Sequence, residues 1–246
     1  MTDNRFHRLE ILFGPQATER LANASVAVFG LGGVGSFAAE ALVRSGIGRL
    51  TLIDFDKIDI TNMNRQLHAT SDTIGHAKVQ VMAARCRSIN PLAQIEPIQD
   101  FFTSENSDEL LDRGYDYVLD CIDHVTAKLT LIEQCQQKKL PIIASMGAAN
   151  KIDPSQIHIA DLADTHGCRL ARIVRRELRK RGIETGIKVV YSTEAFEPLS
   201  AGRRETTADK SYQDRRAPLD SSSVIPPLFG LTMAGEVIRA LAKEEK

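Results

Sequence analysis

The sequence predicts an α/β fold, a Rossmann-like, doubly wound and mostly parallel sheet with a C-terminal extension. Three observations predict it. Short apolar runs alternate with runs of helical spacing over about 120 residues, a glycine-rich turn joins the first such strand to the first helix, and polar residues follow several strands. Because ligands of these sheets bind at the carboxyl ends of the strands, we expect a site there.

The alternation begins after a short N-terminal segment. Strands are predicted at residues 25–29, 50–53, 95–98, 117–122 and 141–144, and helices at 36–45, 74–89, 107–113 and 127–138. Residues 1–160 are interpreted as an N-terminal segment and a nucleotide-binding domain. Residues 161–246 are interpreted as an extension packed on that domain, with a basic helix at 168–181, a mobile loop at about 199–223 and a terminal helix at 224–242. Strands at 156–160 and 188–191 extend the sheet.

Composition is that of an ordinary soluble protein, with 43% hydrophobic residues and a formal net charge of −1. The first ten residues are polar and charged, so we expect no signal peptide and a cytoplasmic location. The terminal helix is the closest approach to a membrane span, but Glu236 and Arg239 interrupt it. We therefore expect no stable span and keep peripheral membrane association as a minor alternative.

The four cysteines lack any C-x-x-C spacing, which argues against a zinc site. Cys86, Cys121 and Cys135 lie in helix-like or strand-like runs and are interpreted as small core residues. Cys168 lies in a loop-like, basic setting that can lower the pKa of a thiol, so it is the candidate for a functional cysteine.

The glycine-rich turn satisfies the G-x-G-x-x-G pattern between a predicted strand and a predicted helix. Its glycines are Gly30, Gly32, Gly33 and Gly35. Glycine lets the backbone approach a phosphate, and the helix amino terminus supplies free N–H groups. Asp54 ends the second strand, where it can accept hydrogen bonds from ribose hydroxyls. These features predict a nucleotide site but do not distinguish ATP from NAD.

The loop after the second strand favours a triphosphate. It carries Asp56, Asn62, Arg65 and Gln66, and the planar guanidinium of Arg65 suits phosphate oxygens. An oxidoreductase that transfers hydride needs no arginine there. Taken alone, Arg65 can equally form a surface ion pair.

Two more residues lie at the same predicted edge of the sheet. Lys78 begins the next helix region and can hold a second phosphate oxygen, and Asp123 follows the fourth strand and can bind Mg²⁺. Each also has a simpler explanation, Lys78 as a solvated helix residue and Asp123 as a helix N-cap. Their joint position favours ATP with Mg²⁺.

This set of residues resembles the adenylating enzymes of the ThiF, MoeB and HesA type, which activate ubiquitin and ubiquitin-like sulfur carriers. The similar residues are the glycine turn, Asp54, the Asn62-x-x-Arg65-Gln66 segment, Lys78, Asp123 and the N-terminal residues 5–14. The resemblance implies carboxylate activation by ATP, with Arg65, Lys78 and Asp123 acting at the phosphates. It also implies a homodimer in which Arg8 reaches the partner's ATP.

Two departures narrow the resemblance. The paired C-x-x-C zinc ligands of bacterial sulfur-carrier adenylyltransferases are missing, and the thioester-forming cysteine has no clear counterpart. The chain is most similar to the zinc-free branch, the tRNA threonylcarbamoyladenosine dehydratases, through segments such as residues 61–69, 152–157 and 192–195. That similarity implies tRNA as the substrate, and a cysteine desulfurase with its sulfur acceptor as a further candidate partner.

The basic helix at 168–181 is consistent with an RNA substrate. Its proposed nucleic-acid contacts are Arg169, Arg172, Arg175, Arg176 and Arg179. Such a local patch can neutralise phosphates even when the net charge is near zero. A solvated charged helix is the simpler alternative. Three other functions remain open: an adenylyltransferase for a sulfur carrier, an NAD-dependent oxidoreductase, and a silent nucleotide-binding scaffold for sulfur-transfer proteins.

Overall fold

The computed structural model describes residues 5–195 and 220–243. Its strands are β1 (Ser25–Phe29), β2 (Arg49–Ile53), β3 (Gln94–Ile98), β4 (Tyr117–Asp120), β5 (Ile142–Ser145), β6 (Ile157–Asp161) and β7 (Lys188–Ser192). Its helices are α1 (His7–Phe13), α2 (Pro15–Asn23), α3 (Gly35–Arg44), α4 (Lys78–Ile89), α5 (Ser107–Leu111), α6 (Val125–Gln137), α7 (Arg169–Arg179) and α8 (Ile225–Ala242).

The seven strands form one sheet in the order β3-β2-β1-β4-β5-β7-β6. All neighbouring pairs are parallel except β6 and β7, which are antiparallel. The strand order reverses direction between β1 and β4, and Phe29 of β1 lies opposite both Ile53 and Asp120. This confirms the predicted doubly wound fold and places the expected binding crevice beside the end of β1.

Helices cover both faces of the sheet, and each face has its own hydrophobic core. One core packs α2, α3, α4 and α8 against the sheet, and the other packs α5, α6 and α7. The central strands β1, β4 and β5 are buried along their whole length. Burial on both faces explains why these strands are continuous apolar runs without alternation.

Several predicted elements have different ends in the structure, and two of these differences lie near the predicted site. The helix predicted from residue 74 begins at Lys78, because Gly75 takes a φ of +84° and His76 is held by a backbone bond from Ile58. The strand predicted to residue 122 ends at Asp120. There the Asp120 carboxylate accepts the N–H of Ile122 and turns the chain out of the sheet.

The terminal helix α8 packs on α3 across a close backbone contact. A Cβ on Gly230 would lie 2.1 Å from the carbonyl oxygen of Val34. In the part of the chain that the structure describes, α8 is long and apolar enough to cross a membrane, but 56% of it is buried inside the protein. Of the loop predicted at 199–223, residues 199–219 lie outside the described residues.

Candidate nucleotide-binding site

The glycine turn between β1 and α3 has a shape that side chains would block. Gly30 has a φ of +89°, and a Cβ there would lie 2.8 Å from the Cys121 carbonyl oxygen. A Cβ on Gly35 would lie 1.8 Å from the Gly30 carbonyl oxygen. Among the residues that the structure describes, no side chain caps the amino terminus of α3. The turn therefore presents bare backbone and a helix amino terminus, the arrangement that binds phosphate.

Asp54, the residue after β2, braces this turn. One carboxylate oxygen accepts the N–H of Leu31 at 2.6 Å, and the other accepts the N–H of Asp56 at 2.8 Å. Asp54 is 8% exposed, and burial raises the pKa of its carboxyl group. Each oxygen keeps a second lone pair, so the predicted contact with ribose stays a prediction.

Lys78 is buried at the start of α4, and its ammonium nitrogen lies 2.7 Å from the Asp56 carboxylate. The carboxylate holds the ammonium group in place, so the predicted contact of Lys78 with a phosphate oxygen would cost little conformational entropy. His68 is buried near Lys78, and neither of its ring nitrogens has a hydrogen-bond partner in the described residues. Burial and the charge of Lys78 lower the pKa of His68 to about 4, so the ring is neutral.

The loop that carries Asn62, Arg65 and Gln66 lies along the glycine turn. A Cβ on Gly33 would lie 3.2 Å from Arg65, and one on Gly32 would lie 4.0 Å from the Gln66 amide. Arg65 donates to the Thr61 carbonyl oxygen and to Asn64, each at 2.9 Å. The Gln66 amide oxygen is buried without a hydrogen-bond partner in the described residues.

Asn62 has a local structural task in addition to its predicted contact with the nucleotide. Its side-chain oxygen accepts the Asp59 N–H at 3.1 Å, while Asp59 caps the same turn from the other end. This capping box fixes the loop that precedes Arg65. Asn62 is half-buried there. Its predicted role at a phosphate or ribose oxygen is not tested by these contacts.

Asp123 lies exposed on the connection between β4 and α6. The N-cap of α6 is His124, whose ring nitrogen accepts the Ala127 N–H, so the simpler explanation of Asp123 as the N-cap is wrong. No cluster of three or more metal-ligating side chains occurs in the described residues. A single exposed carboxylate fits Mg²⁺, which binds one or two carboxylates together with phosphate oxygens.

Arg8 is exposed on α1. Phe6, two residues earlier, lies under Gly46, just beyond the far end of α3. A helix of 10 residues is roughly 15 Å long. The start of α1 thus lies near the end of α3 that is opposite the glycine turn, and the role of Arg8 at the nucleotide of another subunit stays a prediction.

The structure divides the five α7 arginines that were predicted to contact nucleic acid into two groups. Four of its arginines are exposed on one face of the helix, namely Arg169, Arg172, Arg176 and Arg179. Arg175 instead turns inward and donates to the Leu162 carbonyl oxygen and to both the carbonyl and hydroxyl oxygens of Thr165. Arg175 therefore anchors α7, and its i, i+3 spacing from Arg172 did not reveal this.

Cys168 does not lie in a loop that exposes its thiol. It is the N-cap of α7 and is 7% exposed, with its sulfur accepting the Ala171 N–H at 3.5 Å. A buried capping sulfur has little access to a substrate. The interpretation of Cys86 and Cys135 as core residues agrees with their full burial.

Sequence reasoning missed a buried ion pair beneath this site. Lys128 of α6 and Asp120 of β4 have fully buried side chains, and their charged groups lie 2.7 Å apart. Burial raises the pKa of the Asp120 carboxyl group, and the ammonium of Lys128 opposes that rise. The sequence contained a signal for this pair. Lys128 lies on the same helix face as the apolar residues Ile132 and Cys135, so a lysine on that face would be buried and would need an acidic partner.

The fold and this site define a nucleotide-binding member of a known family. The profile of the ThiF family matches residues 6–246, and the chain belongs to that family. It is 43% identical to the tRNA threonylcarbamoyladenosine dehydratase of Bacillus subtilis over 98% of this chain and 96% of that one. It is 48% identical to the enzyme of the same name from Haemophilus influenzae, over 99% and 95% of the two chains.

Solved structures give the same result. Crystal structures of the Escherichia coli tRNA N6-threonylcarbamoyladenosine dehydratase superpose with a TM-score of 0.86 in complex with AMP and 0.84 in complex with ATP. Each alignment covers 96% of this chain and 93% of that chain, at 38% and 37% identity. The chain is therefore an adenylating enzyme of the ThiF family, and the NAD-dependent alternative is set aside.

Proposed function

We propose that this chain is an ATP-dependent tRNA threonylcarbamoyladenosine dehydratase acting at position 37 of tRNA. The extent of similarity supports this over a sulfur-carrier substrate. Similarity to the dehydratases runs through 98% of the chain, whereas similarity to the sulfur carrier protein adenylyltransferase of Thermus thermophilus covers 67% at 33% identity. The dehydratases thus match a part of the chain that the match to that adenylyltransferase does not cover.

The reaction needs an activated carboxylate. A carboxylate oxygen of the modified adenosine attacks the α-phosphorus of ATP, a new P–O bond forms and pyrophosphate leaves. A nitrogen of the same side chain then attacks the activated carbonyl, loses its proton and expels AMP. The nucleoside loses one water in total, and no covalent intermediate on the protein is required.

The residues at the carboxyl edge of the sheet position the reacting groups and stabilise charge. The glycine turn and the amino terminus of α3 receive phosphate oxygens, and Lys78, anchored by Asp56, neutralises them. Arg65 lies against the turn at Gly33 and adds a second positive charge. Asp123 would hold Mg²⁺ together with phosphate oxygens, and the ion would supply further charge neutralisation there.

We also propose a homodimer in which Arg8 of one subunit serves the other. Three residues at the end of α1 support it, since Ile11 is 68% exposed, Leu12 73% and Phe13 38%. Adjacent exposed apolar residues of this size commonly mark an interface. Light scattering on the intact protein measures the assembly directly, and a monomer at micromolar concentration would contradict the role of Arg8.

The exposed arginines of α7 are proposed to bind tRNA, and the enzyme is proposed to act in the cytoplasm. The helix begins beside the carboxyl end of β5, where a Cβ on Gly147 would lie 3.6 Å from Leu170. Its arginine face therefore starts at the edge of the sheet that carries the nucleotide site. The sulfur-acceptor partner and peripheral membrane association remain alternatives that only binding experiments test.

The test is a reaction with bulk tRNA that carries threonylcarbamoyladenosine, with and without ATP. Mass spectrometry of the digested nucleosides should show loss of one water from that nucleoside only when ATP is present. Pyrophosphate should appear in the same reaction. ATP binding without any change in the nucleoside would reject the dehydratase and return the substrate to a protein carboxylate or the protein to a scaffold.

A further inference from the structure

The connection between β4 and α6, residues 121–124, is built against the glycine turn. A Cβ on Gly30 would lie 2.8 Å from the Cys121 carbonyl oxygen, and one on Gly35 would lie 3.2 Å from the Cys121 side chain. Two adjoining backbones this close cannot move independently. The same connection carries Asp123, so the position of this carboxylate depends on how the connection is held.

One buried carboxylate holds it. Asp120, the last residue of β4, accepts the N–H of Ile122 at 3.0 Å with one oxygen and the ammonium of Lys128 at 2.7 Å with the other. Both side chains of the ion pair are 0% exposed. Asp120 thus joins three parts of the molecule: the end of a central strand, the connection and the first turns of α6.

Stability alone does not explain such a pair. Apolar residues of similar volume usually stabilise a buried position as well as an ion pair does, because they incur no desolvation cost. Unlike an apolar pair, the ion pair fixes the relative position of the two side chains, because a charged hydrogen bond prefers one distance and angle. The surrounding core is apolar and well packed, so an apolar pair would fit the composition of the site.

We propose that Asp120 and Lys128 are a positioning pair that holds the 121–124 connection against the glycine turn and so sets where Asp123 stands relative to bound nucleotide. The proposal rests on the proposed role of Asp123 at Mg²⁺. Neither residue touches the substrate. Their effect passes through the backbone of Ile122 and the start of α6.

The test uses the full-length D120L/K128M protein, which removes both buried charges together. Its melting temperature should stay within a few degrees of the parent, whereas K128M alone, with an unpaired carboxylate, should melt about 10 °C lower. Amide hydrogen exchange in a peptide spanning residues 119–126 should become about 10-fold faster in the double variant, because the Ile122 N–H has lost its acceptor. The Mg²⁺ concentration for half-maximal binding of a fluorescent ATP analogue should rise by about 10-fold.

K138M is the matched control. Lys138 follows the other end of α6 and pairs with Asp108 and Asp112 at the surface, far along the helix from Asp123. It should leave exchange in residues 119–126 and the Mg²⁺ requirement unchanged.

A double variant with parental exchange and parental Mg²⁺ requirement would overturn the positioning role and leave the pair as core packing. Failure of the dehydratase assignment can be distinguished from failure of the positioning role. If the parent protein changes no nucleoside but the exchange and Mg²⁺ effects occur, the dehydratase assignment fails while the positioning role stands. If the parent is active and only the exchange effect occurs, Asp123 is not the Mg²⁺ ligand, and the part of the proposal that concerns Asp123 is rejected.

Discussion

Two charged side chains at the carboxyl edge of the sheet, where the candidate nucleotide site lies, are buried and held by protein partners, whereas the arginines on the outer face of α7 are exposed. At the edge, Asp54 and Lys78 are 8% and 5% exposed, and each is already held by a protein partner. On α7, Arg169, Arg172 and Arg179 point into solvent. Buried, held charges act at short range in a low dielectric, whereas exposed charges act through screened, long-range attraction. This difference suits the two roles proposed above, namely chemistry that needs fixed atoms in the first region and capture of a polyanion in the second.

The R65A substitution should give the largest effect and should separate the catalytic role of the nucleotide site from tRNA binding by α7. Removal of one well-placed cation at the phosphates should lower turnover by about 10²- to 10³-fold, because it acts on charge that develops in the transition state. Single-turnover assays with excess tRNA measure this, and tRNA affinity should stay within about 2-fold. R113A is the control, since Arg113 pairs with Glu96 near the opposite edge of the sheet. Near-parental turnover by R65A would show that Arg65 has been misassigned.

The opposite pattern is expected from α7. Replacing its four exposed arginines, Arg169, Arg172, Arg176 and Arg179, with alanine should weaken tRNA binding by at least about 10-fold and reduce the salt slope by about 3. Binding titrations at several salt concentrations measure both quantities. Affinity for ATP should not change.

R175A provides the control within the same helix. It removes the three hydrogen bonds of Arg175 to Leu162 and Thr165 and should cost about 1–3 kcal/mol of unfolding free energy, with the salt slope intact. If instead R175A alone reproduces the loss of salt dependence, the division of the helix into an anchoring and a binding arginine face is incorrect.

The glycine turn is also in close backbone contact with α8 at Gly230. Substitutions at two glycines of α8 test whether this contact matters. G230A places a methyl group 2.1 Å from the Val34 carbonyl oxygen and should cost about 1–3 kcal/mol while weakening ATP binding. G235A has open space around its Cβ and should be neutral or stabilise by up to about 1 kcal/mol. Equal melting temperatures for the two variants would contradict the packing of α8 on the glycine turn.

The smallest effect is expected from C168S. Serine is a good N-cap, so the start of α7 should be preserved and turnover should remain within about 2-fold of the parent. The nucleoside assay measures this, with C86S as a comparison in the core. A loss of turnover without a loss of stability would make Cys168 a functional thiol after all.

The sequence predicted the parts of the site that local rules control. The glycine turn, Asp54 and the succession of strands and helices along the chain follow from periodicity and from the conformational demands of a turn with positive φ at Gly30. The ends of elements were less predictable. Lys78 begins α4 four residues later than expected because Ile58 and His76 pair across a loop.

By itself, the sequence determined the fold class, the glycine turn and the residues that suit a triphosphate, because these depend on residue type and spacing. Only the tertiary structure decided which charges are held and which are free. Arg175 anchors α7 while Arg172 on the same helix is exposed to solvent, and Lys128 pairs with Asp120 inside the core. Such outcomes depend on contacts between elements distant in sequence, and no local pattern encodes which neighbour a side chain will meet.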